Sequence, residues 1–139
     1  MLTWHPDFET GHPEIDRDHQ EICLRLNQIE LAIAAGAGRE QIAEMVGLLQ
    51  HYTLVHFRKE ENAMACAKCP RHGENCVAHA KFAARLERWL EDLTIPGMSL
   101  TILQDVHAES SRWLVQHLTH IGSSLRQSAP PFSVAAGKE

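Results

Sequence analysis

Four stretches of this chain repeat apolar residues at alternating spacings of three and four, and each carries a histidine inside the repeat. In the first, Ile15, His19, Ile22, Leu26, Ile29 and Ile33 fall on one stripe of a helix. The second runs through Ile42, Met45, Leu49, Tyr52, His56 and Ala63, with Lys59 and Glu60 around the missing step. Asn75, His79, Phe82, Leu86 and Leu93 form the third, with Trp89 and Leu90 alongside, and Leu103, His107, Ser110, Leu114, His117 and Ile121 form the fourth. A chain with four such stripes buries them by packing helix on helix.

Breakers separate the stripes at Gly36-Ala37-Gly38, Cys69-Pro70 and Pro96-Gly97, and Pro130-Pro131 follows the last. The pattern predicts helices over 16–35, 39–65, 70–93 and 98–127, with Pro70 in a first helical turn, where its missing N–H costs little. Short connections predict an all-α, up-down-up-down antiparallel four-helix bundle with a metal site in its core. Residues 1–127 form the expected domain, and 128–139 an expected C-terminal tail that frays.

In such a bundle the early parts of helices one and three meet the late parts of helices two and four. His19, His56, His79 and His117 then fall at one level. A single histidine on an apolar stripe is ordinarily a hydrogen-bonded core residue. Four imidazoles buried together compete for few donors, at about 1–3 kcal/mol for each unsatisfied group, and a metal ion removes that conflict. Glu60 follows His56 by one helical turn, so one centre can use both, and its two carboxylate oxygens can bridge two cations.

Composition narrows the alternatives. A formal net charge of −5 gives no basic field for nucleic acid, whereas ten His in 139 residues supply many donors for borderline metals. No apolar stretch approaches the roughly 20 residues that span a bilayer, and Met1 to Gly11 lacks the pattern of a signal peptide, so a soluble cytoplasmic protein is expected. His5, His12, His51 and His107 share no centre and are expected to be surface or core residues.

The stretches Trp4, Thr10-Gly11-His12-Pro13-Glu14-Ile15-Asp16-Arg17-Asp18-His19, His56-Phe57-Arg58-Lys59-Glu60-Glu61-Asn62-Ala63-Met64, His79-Ala80-Lys81-Phe82 and Trp113-Leu114-Val115-Gln116-His117 resemble the bacterial hemerythrins, over about residues 4–126. The resemblance implies non-haem iron in an oxo- or hydroxo-bridged pair that binds O2 reversibly. His19 and His56 would hold one iron, His79 and His117 the other, and Glu60 would bridge them. Ile22, Leu26 and Trp113 would line a dry pocket beside the iron. Two positions depart from the family pattern. Asn75 stands where a further His is expected, and Gly122 where an Asp is expected. Both losses weaken the second iron most, so one or two ions remain open, with His120, Cys76 and Cys23 as candidate substitutes.

The segment Cys66-Ala67-Lys68-Cys69-Pro70-Arg71-His72-Gly73-Glu74-Asn75-Cys76 has Cys-x2-Cys-x2-His-x3-Cys spacing. It could take an additional Zn2+, form a reversible Cys66–Cys69 disulfide, or consist of turn cysteines with no partner. Three functions follow as expectations. The first is a non-enzymatic iron protein that binds or senses O2 or NO and signals to a partner protein. The second is a redox enzyme reducing peroxide or NO. The third is a thiol or zinc regulator built on Cys66, Cys69 and Cys76.

Overall fold

A computed structural model describes residues 1–97 and 100–127. The expected tail, 128–139, lies outside them. Helices α1 (Pro13–Ala34), α2 (Arg39–Cys66), α3 (His72–Asp92) and α4 (Leu100–Gln127) follow a single 3-10 turn at Pro6–Phe8. Helix α1 packs on α2 and α4, and α3 packs on α2 and α4, which closes the ring of an up-down-up-down bundle. No helix among the described residues is long and apolar enough to cross a membrane.

Local chemistry moves two helix starts from their expected places. Helix α1 begins at Pro13, three residues early, because the proline presets the first helical φ and the His12 imidazole accepts the Ile15 N–H at 3.4 Å. Asp16 fixes the chain's entry by accepting from the Thr10 N–H and hydroxyl, each at 2.9 Å. Pro70 lies in the α2–α3 turn rather than in the first turn of α3. Lys68 takes a left-handed φ of 54° there, and the Cys69 N–H returns to the Met64 carbonyl at 2.9 Å, closing the end of α2. The first bond of α3 then runs from the Asn75 N–H to Arg71 O.

The seam of α2 also shifts by one residue from its expected course. Ile42, Val46, Leu49, Thr53, His56, Glu60 and Met64 are buried, while Met45 and Tyr52 are half-buried. Their spacing of four, three, four, three, four and four places Glu60 in phase, so the charged step that interrupts the apolar pattern is itself a core position. The expected stripes of α1, α3 and α4 are buried as read.

Two apolar clusters fill the interior. The larger includes Ile22, Leu26, Leu49, Phe57, Phe82, Leu86, Trp89, Leu114 and Leu118. The smaller comprises Ile15, Met64, Cys69, Ile121 and Leu125. Near the junction of the two clusters along each of the four helices lie the buried polar residues His19, His56, Glu60, Asn75, His79 and His117.

The segment before α1 straps across α4. Phe8 is buried in the larger cluster against Trp4, and Arg126 donates to the carbonyls of Asp7 at 3.0 Å and Glu9 at 2.6 Å. The strap comes so close at Gly122 that a Cβ there would lie 2.4 Å from the Asp7 carbonyl oxygen and 3.1 Å from the Phe8 carbonyl carbon. Replacing Gly122 with Ala therefore gains about 1 kcal/mol in helix propensity but incurs an overpacking cost of about 1–3 kcal/mol against backbone. Gly122→Ala is expected to lower stability on urea denaturation and to make residues 1–9 more sensitive to protease. Unchanged protease sensitivity together with raised stability would refute this packing.

Candidate metal centre

Glu60 is the hub of the polar layer. It is fully buried, and its two oxygens face different histidine pairs. Oε2 lies 2.6 Å from His19 Nε2 and 3.1 Å from His56 Nε2. Oε1 lies 2.7 Å from His79 Nε2 and 3.7 Å from His117 Nε2, and these two nitrogens are 3.2 Å apart. The five residues singled out in the sequence are thus brought together. Among the described residues they form two groups of three with metal-ligating atoms in mutual reach, His19-His56-Glu60 and Glu60-His79-His117.

The donor set fits cations on chemical grounds. Nitrogen and oxygen atoms bound to one first-row cation at about 2.1 Å in perpendicular positions stand roughly 3 Å apart, close to most of the separations here. The facing nitrogens of His79 and His117 share one carboxylate oxygen, at 2.7 and 3.7 Å, so both can turn a nitrogen toward the same point.

Electrostatics keep the hub ionised. Complete burial alone would raise the Glu60 carboxyl, yet the charge of His19 and the contacts of His117, His19 and His56 hold it well below the usual range. Burial opposes charge on His56, but Glu60 and Asp18 together raise its pKa. His117 is lowered, chiefly by burial, although its contact with Glu60 and that carboxylate's charge pull the other way.

Two carboxylates that the sequence reading did not pick out sit behind the histidines. Asp18 lies 2.9 Å from His56 Nδ1 and also receives the Tyr52 hydroxyl at 3.0 Å and the Lys59 ammonium at 2.9 Å. Glu61 lies 2.8 Å from His79 Nδ1. Each Glu60 oxygen therefore faces one carboxylate-backed imidazole, an arrangement that fixes ring orientation and raises the basicity of Nε2. Rings lock the other side: Phe57 stacks on His79 at 3.7 Å, and Trp113 stacks on His117 at 4.8 Å and on Phe82 at 4.2 Å. Asp18 and Glu61 act across helix pairs, so spacing along one helix does not reveal them.

The candidate substitutes go elsewhere. His120 is partly exposed, 3.5 Å from Glu74. Cys76 is half-buried, with its sulfur 3.6 Å from His72 Nε2, and Cys23 packs in the larger cluster, where burial pushes its thiol up to about 11. Cys66 is exposed, Cys69 is buried in the smaller cluster, and all four cysteines are free. Among the described residues Cys66, Cys69, Cys76 and His72 form no metal-ligating group, so the structure lends no support to zinc there. Asn75 does reach the centre: its Nδ2 donates to Glu60 Oε1 at 3.0 Å and to Met64 Sδ at 3.0 Å, while Oδ1 is buried without a partner. His107 is a core residue on the Leu26 carbonyl at 2.7 Å, His51 is exposed, and His5 and His12 cap the 3-10 turn and α1.

Comparison with known proteins adds to this geometry. The family model described as "Hemerythrin HHE cation binding domain" matches residues 10–124. A bacteriohemerythrin of Stenotrophomonas maltophilia (strain R551-3) is 26% identical over 124 residues, covering 85% of this chain and 74% of that protein. A bacteriohemerythrin of Pseudomonas aeruginosa (strain LESB58) is 30% identical over 121 residues, covering 84% of this chain and 74% of that protein. No solved structure matches the chain significantly.

The Asp18 network can be read from Tyr52, the single tyrosine of the chain. Burial, the bond to Asp18 and that carboxylate's charge push the phenol up from 10.0 to about 12. Because the folded value is raised, the associated stability is fully present below pH 10 and is lost as pH rises through about 12. Ultraviolet titration, with helix content followed in parallel, should give a midpoint near 12 in the native chain and one closer to 10 in Asp18→Asn. Equal midpoints would remove Asp18 from the network.

Proposed function

The chain belongs to the hemerythrin family, and from that premise we propose that it binds non-haem iron, as one ion or two, at the centre formed by His19, His56, Glu60, His79 and His117 and uses it to bind O2 or another diatomic such as NO. The observation that carries this reading is the division of one buried carboxylate between two histidine pairs. Two imidazoles and one carboxylate make the donor set that suits non-haem Fe(II) while leaving coordination positions open. Such an iron supplies a site where a small ligand can bind.

The surrounding side chains support binding rather than turnover. Ile22 and Leu26 are buried in the larger apolar cluster, and Trp113 covers His117. These apolar groups exclude water from the neighbourhood of the centre. Asp18 and Glu61 hold His56 and His79 with Nε2 turned toward Glu60. A carrier or sensor needs this order in a fixed centre. A small displacement of a helix at the centre would pass the bound state to a partner protein.

The test is iron content and optical spectrum of the purified chain, reconstituted without air and then cycled between O2 and argon. A spectrum that changes with O2 and returns under argon is expected, and steady consumption of O2 or peroxide would instead favour a redox enzyme. Glu60→Gln preserves volume but removes the shared charge, so iron retention should fall roughly tenfold or more. Full iron retention in Glu60→Gln would contradict the reading.

A further inference from the structure

The two sides of Glu60 are not equivalent, and the difference bears on how many cations the centre takes. On Oε2 the partners are His19 and His56. On Oε1 the Asn75 amide adds a third group, donating at 3.0 Å from a side chain only 1% exposed. That amide takes one of the two lone pairs of Oε1, and His79 Nε2 lies at 2.7 Å against the same oxygen, so this side offers a cation less free carboxylate than Oε2 does. The amide is held in this sense by a second contact to Met64 Sδ. Its Oδ1, the atom able to ligate, is buried without a hydrogen-bond partner, while the contact to Glu60 is made by Nδ2.

An independent observation comes from α4. A carboxylate there could balance a second cation, but position 122 is glycine, and the strap's backbone occupies the space a Cβ would need. Arg126 pins the strap in place through Asp7 O and Glu9 O. Glu60 is therefore the one carboxylate among the described residues in either group of candidate ligands. Two divalent ions a few ångströms apart repel strongly in a buried site, and a single bridging carboxylate offsets little of that.

Resting on the iron reading above, we propose that the centre is mononuclear. One iron is held by His19, His56 and Oε2 of Glu60, while Asn75 keeps Oε1 engaged as a hydrogen-bond acceptor where a second iron would bind. His79 and His117 then serve as positioning residues. They hold the carboxylate and complete the polar wall facing the iron. The ligand class narrows accordingly to diatomics that bind a single Fe(II), NO among them.

The experiment loads the full chain with excess ferrous iron without air, removes unbound iron, and counts iron per chain. The same samples are then oxidised for electron paramagnetic resonance. His19→Ala and His117→Ala are carried alongside, with helix content checked by circular dichroism. One iron per chain, a high-spin ferric signal accounting for it, loss of iron in His19→Ala and retention of one iron in His117→Ala are expected. Two irons per chain with a silent, coupled ferric pair would overturn the mononuclear centre and leave the iron reading standing, as would equal loss of iron in the two folded variants. A native chain that retains no iron would overturn both.

Discussion

A carboxylate with no exposure to solvent is the constraint around which this bundle is arranged. Taking one such charge out of water costs several kcal/mol unless donors or cations replace the lost hydration. Glu60 meets that requirement with four imidazoles and an amide drawn from the three other helices and its own. Each helix must therefore present a polar group at one depth. The two apolar clusters on either side of that depth fix the helices against sliding. The same arrangement that solves a solvation problem also concentrates metal-ligating atoms.

Much of this was legible in the chain itself. Each of the four stripes carries its histidine in phase with Ile, Leu or Phe, and antiparallel packing alone brings His19, His56, His79 and His117 to one level. What spacing could not give was the exact face of α2. The apolar period broke off around Lys59 and Glu60, so the one-turn spacing from His56 marked Glu60 as a candidate ligand while the stripe itself did not show that it lies in phase with the core. Asp18 and Glu61 were hidden because their roles depend on imidazoles contributed by neighbouring helices.

The departures at Asn75 and Gly122 show how a structure changes the meaning of a missing ligand. In the sequence both are simply absences. In the fold, Asn75 is an active donor to the hub, and Gly122 is the only residue type that lets the N-terminal strap lie against α4. The cysteine segment reads the other way. Its spacing implies a metal or redox cluster, but the capped end of α2 and the early bonds of α3 separate the thiols into an exposed, a buried and a half-buried group. Helix-end geometry decided that outcome.

The central claim is that the imidazoles around Glu60, and not the thiols of the α2–α3 turn, are what iron binds. X-ray absorption at the iron edge of the reconstituted chain tests it most directly. The account predicts a nearest shell of nitrogen and oxygen with the outer scattering of imidazole rings. A shell of sulfur at about 2.3 Å, the distance of a metal–thiolate bond, would contradict it.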